Sequence, residues 1–293
     1  MNENKTNINW YPGHMAKTKR QITEDLKLID VVIELLDSRI PLSSRNPDIH
    51  ELTKNKKKII ILNKCDLADS KTNEAWQKYF EKEAPTLIVD ANSGKGVEKV
   101  TKLIDIIMED EIEKQKQRGR MNKTIRIMIL GIPNVGKSSL INRIAKRTPT
   151  VVGNRPGVTK QKQWVRLGKN QELLDTPGVL WPKFESNEVA QNLAFTGTIK
   201  DDIMDRVEIA YELLKKLFPD YEKTILERYN ITKEEMDVIR EEDNMIYSLM
   251  LTIGKKRGAL VRGGEVDDEK VARLILEDFR TCKYGKITLE NPI

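Results

Sequence analysis

The chain has 293 residues, 39% of them hydrophobic and 33% charged, with a formal net charge of +6. That length and balance fit a full α/β domain with a smaller one beside it and exclude an intrinsically disordered chain. No apolar run approaches a membrane span, the polar start lacks a signal-peptide core, and Cys65 and Cys282 make no metal-ligand pattern; a cytoplasmic protein with reduced thiols and no membrane partner is expected.

A basic arm comes first, over residues 1–24, with Lys5, Lys17, Lys19 and Arg20 near Trp10 and Tyr11. QITEDLKLI (21–29) reads as a short helix. VVIELLD (31–37) is an apolar run bounded by charge, the pattern of a strand buried on both faces. SRIPLSSRNP (38–47) is a loop. KKIIILNKCD (57–66) is a second buried strand that runs straight into polar residues, NEAWQKYF (73–80) is helical, and TLIVDAN (86–92) holds a third strand. Val97, Val100, Leu103, Ile104 and Ile107 form a helical stripe. EKQKQRGRMNKT (113–124) is a charged joint. IRIMIL (125–130) is the next strand, followed by GIPNVGKSS (131–139) and a helix through Leu140 and Ile144. VVGNRPGVTK (151–160) is a loop, and QKQWVRL with ELLDTPG reads as a strand pair joined by GKN. Strands alternating with helices predict a mostly parallel sheet with helices on both faces, over residues 25–186.

From about Asn187 the pattern turns helical. Ile203, Val207, Ala210, Leu214 and Leu217 mark an amphipathic helix that Pro219 is expected to stop. Further helical patterns cover 233–253 and 267–282. A small all-α domain over 187–293 is expected.

GIPNVGKSS fits the phosphate-loop pattern and sits between a strand and a helix, as that motif requires. Its glycines let backbone N–H groups face phosphate oxygens, Lys137 offers charge to the β- and γ-phosphates, and Ser138 can ligate Mg²⁺. Contacts to the nucleotide are expected from Asn134, Val135, Gly136, Lys137, Ser138 and Ser139. DTPG (175–178) follows a strand: Asp175 can hold Mg²⁺ through water, and the Gly178 N–H can meet the γ-phosphate. In NKCD (63–66) the Asp66 carboxylate can accept from the N1–H and N2 amine of guanine, a donor pair that adenine lacks. Asn63 can meet the guanine edge and Lys64 can cover the ring. In the DAN stretch, the backbone N–H of Ala91 is a candidate for the guanine oxygen, with Asn92 beside it. Thr159 can close over Mg²⁺ when a γ-phosphate is present. The motifs lie at strand C-terminal ends, where open α/β sheets bind ligands.

The base-reading pieces precede the phosphate loop, the reverse of the usual order, and the chain resembles a circularly permuted Ras-like P-loop GTPase. Closing the ordinary termini and cutting after the DTPG switch leaves the packed sheet intact. Over nearly its whole length the chain further resembles the bacterial ribosome biogenesis GTPase A family, through WYPGHMAK (10–17), DSRIPLSSRNP (37–47), NKCD, GIPNVGKSS, RPGVTK, DTPG and the C-terminal DDEKVARLILEDFRTCKYGKITLE. The resemblance implies GTP hydrolysis coupled to late assembly of the large ribosomal subunit. The expected partners are its precursor, rRNA, ribosomal proteins and GTP or GDP, with the protein a monomer off the ribosome.

Many relatives place a water-orienting glutamine after the DxxG switch. Here that position is Val179, which cannot hydrogen-bond through its side chain. His14, supported by the resemblance, is the candidate to orient water or act as base; the alternative is a residue of the arm that contacts RNA or caps a helix. The catalytic set is therefore His14, Lys137 and Thr159, and the Mg²⁺ set Ser138, Thr159 and Asp175. The resemblance also suggests that Asn134 helps bind K⁺, against a plain turn-forming asparagine; Arg155 could instead supply charge. Basic residues gather at the arm and at Lys255, Lys256, Arg257 and Arg262, with Arg273 and Arg280 on the last helix, a distribution suited to structured RNA. Two alternatives stand beside the assembly GTPase: a GTP-gated RNA-binding scaffold with negligible hydrolysis, and a GTPase acting on another structured RNA.

Overall fold

The structure is a computed structural model that describes residues 12–119, 123–147, 164–167, 170–174, 184, 186–199, 201 and 204–292. Its backbone divides into two units, one built from residues up to 185 together with those from 288 onward, the other from Ser186–Ile287.

The first unit is a six-stranded sheet in the order β3-β2-β1-β4-β6-β5. β1 (Val31–Asp37) lies at its centre, flanked by β2 (Lys57–Asn63) and β4 (Ile125–Leu130), both parallel to it. β3 (Thr86–Ile88) pairs parallel with β2, β6 (Gln171–Leu174) pairs parallel with β4, and β5 (Trp164–Arg166) closes the edge antiparallel to β6. The apolar runs are strands because both faces are covered, and every residue of β1 is buried.

One face carries α1 (Pro12–Leu26), α2 (Pro47–Thr53) and α3 (Ser70–Glu81). Ile22 and Leu26 of α1 and Ile49 of α2 pack with Val32, Met128 and Leu174. Further along the same face, Trp76 and Phe80 of α3 pack with Leu36, Ile60 and Leu62. α4 (Glu98–Gln117) crosses the other face, where Lys57 Nζ reaches the Ile107 carbonyl and Gln171 Nε2 reaches the Thr101 carbonyl and Asp105 Oδ1.

Glu34 interrupts the apolar run of β1 between those two clusters. It is 1% exposed, and Arg45 grips it with two hydrogen bonds of 3.0 and 3.1 Å while Lys58 lies 3.6 Å away. Glu83 joins the network at 2.6 Å from Arg45 and 3.1 Å from Lys58. A buried carboxylate persists in a sheet face only when so compensated.

The second unit holds α6 (Asn187–Phe195), α7 (Arg206–Tyr229), α8 (Lys233–Arg240), α9 (Met245–Arg257) and α10 (Asp268–Arg280). Four sequence expectations are corrected. The stop expected at Pro219 falls two residues later and is not final: the helical backbone breaks at Tyr221 (φ −123°), and a second helical stretch resumes to Tyr229. The pattern over 233–253 is two helices, because Asn244 restarts the chain as the N-cap of α9. α1 begins at Pro12, so the arm and the short helix share one element. The charged joint starts inside α4, which runs to Gln117. Residues from 288 onward group with the sheet unit. Among the described residues, no helix is long and apolar enough to cross a membrane.

Candidate functional site

All parallel strands deliver the chain to one edge of the sheet. β1 ends there at Asp37, β2 at Asn63, β3 leads to Ala91, β4 to Gly131, and β6 arrives at Leu174, one residue before Asp175. The chain steps outward from β1 to β3, then returns to the far side of β1 for β4. That reversal opens a crevice at the C-terminal edge, the place where sheets of this kind bind ligands. Motifs distant in sequence therefore meet.

Asn63 joins them. Its Nδ2 donates to the Val135 carbonyl of the phosphate loop at 2.8 Å, and its Oδ1 accepts from the Ala91 N–H at 3.0 Å. One 2%-exposed amide thus links the NKCD turn, the DAN turn and the phosphate loop. The motifs predict that Asn63 and the Ala91 N–H face guanine; here they face each other. Asp90 organises the DAN turn by accepting from the Asn92 and Ser93 N–H groups at 2.8 and 3.2 Å.

The phosphate loop fits against β1 and Asn63 so closely that two glycines are required. A Cβ on Gly131 would lie 2.6 Å from the Leu35 carbonyl, and one on Gly136, whose φ is +100°, would lie 2.3 Å from Asn63 Nδ2. Asn134 adopts φ 58° and is exposed, as asparagine tolerates. Val135 is 1% exposed. Lys137 opens α5 (Lys137–Arg147), and its Nζ donates to the Gly131 and Ile132 carbonyls at 3.2 and 3.1 Å. That grip holds the cation over the loop, at the positive end of the helix, where a phosphate would sit. Ser138 is exposed on the first turn and Ser139 half-buried.

The NKCD turn is braced by Asp37 and Arg39, which lie outside the nucleotide motifs. Lys64 takes the left-handed conformation (φ 61°) and its Nζ donates to Asp37 Oδ2 at 2.9 Å. Asp37 also holds Arg39, which donates from Nε at 3.0 Å and from Nη2 at 2.7 Å. Burial pushes the Asp37 carboxyl up, but the charges and hydrogen bonds of Arg39 and then Lys64 outweigh it and hold it well below the usual carboxylate range. The Lys64 ammonium is thereby drawn to Asp37, which leaves only its stem to lie against a base. The signal in the sequence was the Asp-Ser-Arg at the end of a buried strand. Asp66 is half-buried at the rim.

The side chain of His14 and residues Thr159, Asp175, Gly178, Val179 and Arg155 lie outside the described residues. For Mg²⁺, the donor available here is the exposed Ser138 hydroxyl, a hard oxygen of the kind that ion takes.

The basic surfaces are only partly available. Lys19 pairs with Asp48 at 2.7 Å. Lys256 pairs with Glu235 at 2.7 Å, and Arg257 donates to the Arg228 carbonyl and lies 5.3 Å from the Tyr229 ring centroid. Arg280 is corrected as an RNA candidate: it turns inward, bidentate to Asp201 at 2.9 and 2.7 Å and donating to the Ala194 and Phe195 carbonyls. Lys255, Arg262 and Arg273 are exposed.

Comparison with known proteins agrees with this geometry. A family model described as 50S ribosome-binding GTPase matches residues 126–244. The match starts just before the phosphate loop and leaves NKCD outside, as a permuted order requires. "Ribosome biogenesis GTPase A" of Bacillus licheniformis is 46% identical over 97% of this chain and 98% of its own length. The protein of the same name from Bacillus cereus is 44% identical over 97% of this chain and 94% of its own. The crystal structure of GNP-bound YlqF from T. maritima shares the fold, with a TM-score of 0.61 at 24% identity, covering 94% of this chain and 98% of that one. The chain belongs to the ribosome biogenesis GTPase A family.

Proposed function

We propose that this protein binds the precursor of the large ribosomal subunit in its GTP state and leaves after hydrolysis, so that GTP times a late assembly step. Family membership makes it a GTPase of ribosome biogenesis; the particle, the timing and the residue roles are the proposal. The observation that carries it is the Asn63 amide, which unites a phosphate loop and a base-reading turn 72 residues away. A nucleotide that spans the crevice has its base against Asp66 and its phosphates under the phosphate loop.

In this reading Asp66 accepts from guanine, the stem of Lys64 covers the ring, and the Ala91 N–H turns from Asn63 to the guanine oxygen, with Asn92 beside it. Gly136, Ser139 and Val135 present backbone N–H groups to phosphate. Lys137 exchanges its two carbonyl partners for β- and γ-phosphate oxygens. Ser138, with Asp175 and Thr159, would hold Mg²⁺, which would supply charge against that developing on the phosphates. Asn134, exposed at the loop's tip, is the residue proposed to contact K⁺. The Gly178 N–H senses the γ-phosphate. His14 orients the attacking water, because Val179 offers no hydrogen bond there. The exposed Lys255, Arg262 and Arg273 face rRNA. The protein acts in the cytoplasm as a monomer off the ribosome.

Multiple-turnover GTP hydrolysis with and without large-subunit precursors tests this, for the wild type and His14→Ala. Wild-type turnover rises on the particles and His14→Ala responds far less while still retaining GDP. An equal response of both proteins removes the histidine from catalysis, and no turnover in either condition favours the RNA-binding scaffold. Stimulation by another structured RNA but not by the particle favours the remaining alternative.

A further inference from the structure

The last few residues of the chain carry no hydrophobic period and no nucleotide motif, yet they make long-range hydrogen bonds on both sides of the NKCD turn. On one side is the loop after β1. The Leu289 N–H donates to the Arg39 carbonyl at 2.8 Å. The Glu290 carboxylate accepts from the Leu42 N–H at 2.7 Å, from the Ser43 N–H at 3.0 Å and from the Ser43 hydroxyl. On the other side is the segment that follows Asp66. The Thr288 hydroxyl accepts from the Asp69 N–H at 3.1 Å, and the Glu290 carbonyl accepts from Trp76 Nε1 at 3.1 Å.

These anchor points act on the turn itself. The loop after β1 carries Arg39, which holds Asp37, which holds Lys64 inside NKCD. Asp69 is the N-cap of α3 and accepts from the Thr72 N–H at 2.8 Å. Trp76 is fully buried on the same helix. The turn from Asn63 to Asp66 lies between two segments that the tail ties together. Ser43 is 3% exposed, so its N–H has little water to turn to if Glu290 is removed. A carboxylate acceptor makes the stronger class of hydrogen bond.

We propose that residues 288–292 are a strap that pre-orders the guanine-reading turn, with Glu290 the positioning residue that sets how tightly the base, rather than the phosphate, is held. This rests on the reading that NKCD recognises guanine. Binding to a site already ordered loses less conformational freedom than binding to one that must order first. The strap's hydrogen bonds to Arg39, Leu42, Ser43, Asp69 and Trp76 all fall outside residues 131–139. Its loss therefore weakens the base half of the site and spares the phosphate half.

The test is titration of the full-length protein with GDP and, separately, with pyrophosphate. The variants are Glu290→Ala, Glu290→Gln, Thr288→Val and Asp66→Ala, with circular dichroism to verify folding. Glu290→Ala is expected to weaken GDP binding by about tenfold and pyrophosphate binding by no more than about twofold. Glu290→Gln, which keeps one acceptor oxygen, falls between it and the wild type. Thr288→Val, a milder change that removes only the hydroxyl facing Asp69, moves the ratio of the two affinities in the same direction. Unchanged GDP affinity in Glu290→Ala overturns the strap, as does a parallel fall for both ligands, which would mark a general loss of structure. If Asp66→Ala loses GDP while Glu290→Ala does not, the strap alone falls. If Asp66→Ala keeps wild-type GDP affinity, the guanine reading falls and takes the strap's stated role with it.

Discussion

Gly136 and Asn63 form a contact whose energy can be isolated. In Gly136→Ala the new methyl would lie 2.3 Å from Asn63 Nδ2, and the backbone would have to hold φ +100° with a side chain. Strain in so sparsely populated a conformation costs about 1–3 kcal/mol. The methyl also pushes the Asn63 amide from Val135 and Ala91, at a net loss of about 0.5–1.5 kcal/mol for each hydrogen bond. The single substitution should therefore destabilise the sheet unit by about 2–6 kcal/mol. Asn63→Ala alone leaves a buried carbonyl and a buried N–H without this partner, for about 2–6 kcal/mol. In the double variant the obstructing amide is gone and only backbone strain is added, so the combined loss falls short of the sum by about 1–3 kcal/mol. Native-state hydrogen exchange at the β1 and β4 amides reads this unit alone. Losses that add within about 0.5 kcal/mol would show that the glycine and the amide do not touch, and would refute the close fit of the phosphate loop on the NKCD turn.

Two further predictions concern charged pairs. Asp37→Asn removes the buried carboxylate that pairs with both Arg39, whose side chain is 3% exposed, and Lys64, and should cost about 3–5 kcal/mol by the same exchange measurement. The folded-state Asp37 carboxyl titrates below its unfolded value, so its contribution is complete above the usual carboxylate range and fades as pH falls beneath it. Glu83 behaves likewise in a defined window. Burial pushes it up, but Arg45 and then Lys58 hold it down from the ordinary 4.5 to about 2. Stability should therefore decline as pH falls from 4.5 to about 2. Arg45→Gln should flatten that decline in an acid titration of the unfolding midpoint, and an unchanged slope would discount the pair.

Legibility in the sequence followed the range of the interactions. β1 and β2 could be read because strands covered on both faces are continuous apolar runs, and the phosphate loop because its glycines and lysine act within a few residues. Glu34 looked like an interruption of such a run; its partners Arg45, Lys58 and Glu83 lie on other segments. Pro219 signals a break by local rule, and the backbone does leave the helix at Tyr221; burial of Ile225 and Tyr229 is what lets helix resume beyond it, which no local rule shows. Arg280 has the same side chain whether it faces RNA or Asp201, and only packing decides. In the site, Asn63 is legible from its motif, while Asp37 and Arg39 read only as a strand end and a loop residue, because Lys64, the further partner of Asp37, lies at the end of another strand. Glu290, 248 residues from Leu42 in sequence, had no local signal at all.

The central claim is that rearranged segments assemble one guanine site, and a change of ligand tests it most directly. Asp66→Asn replaces an acceptor pair with one acceptor and one donor, which suits the carbonyl that xanthine carries where guanine carries its amine. Affinities for GDP and xanthosine diphosphate should cross over: the wild type prefers GDP and the variant prefers the xanthine nucleotide. A variant that keeps the wild-type preference for GDP would mean that Asp66 does not face the base.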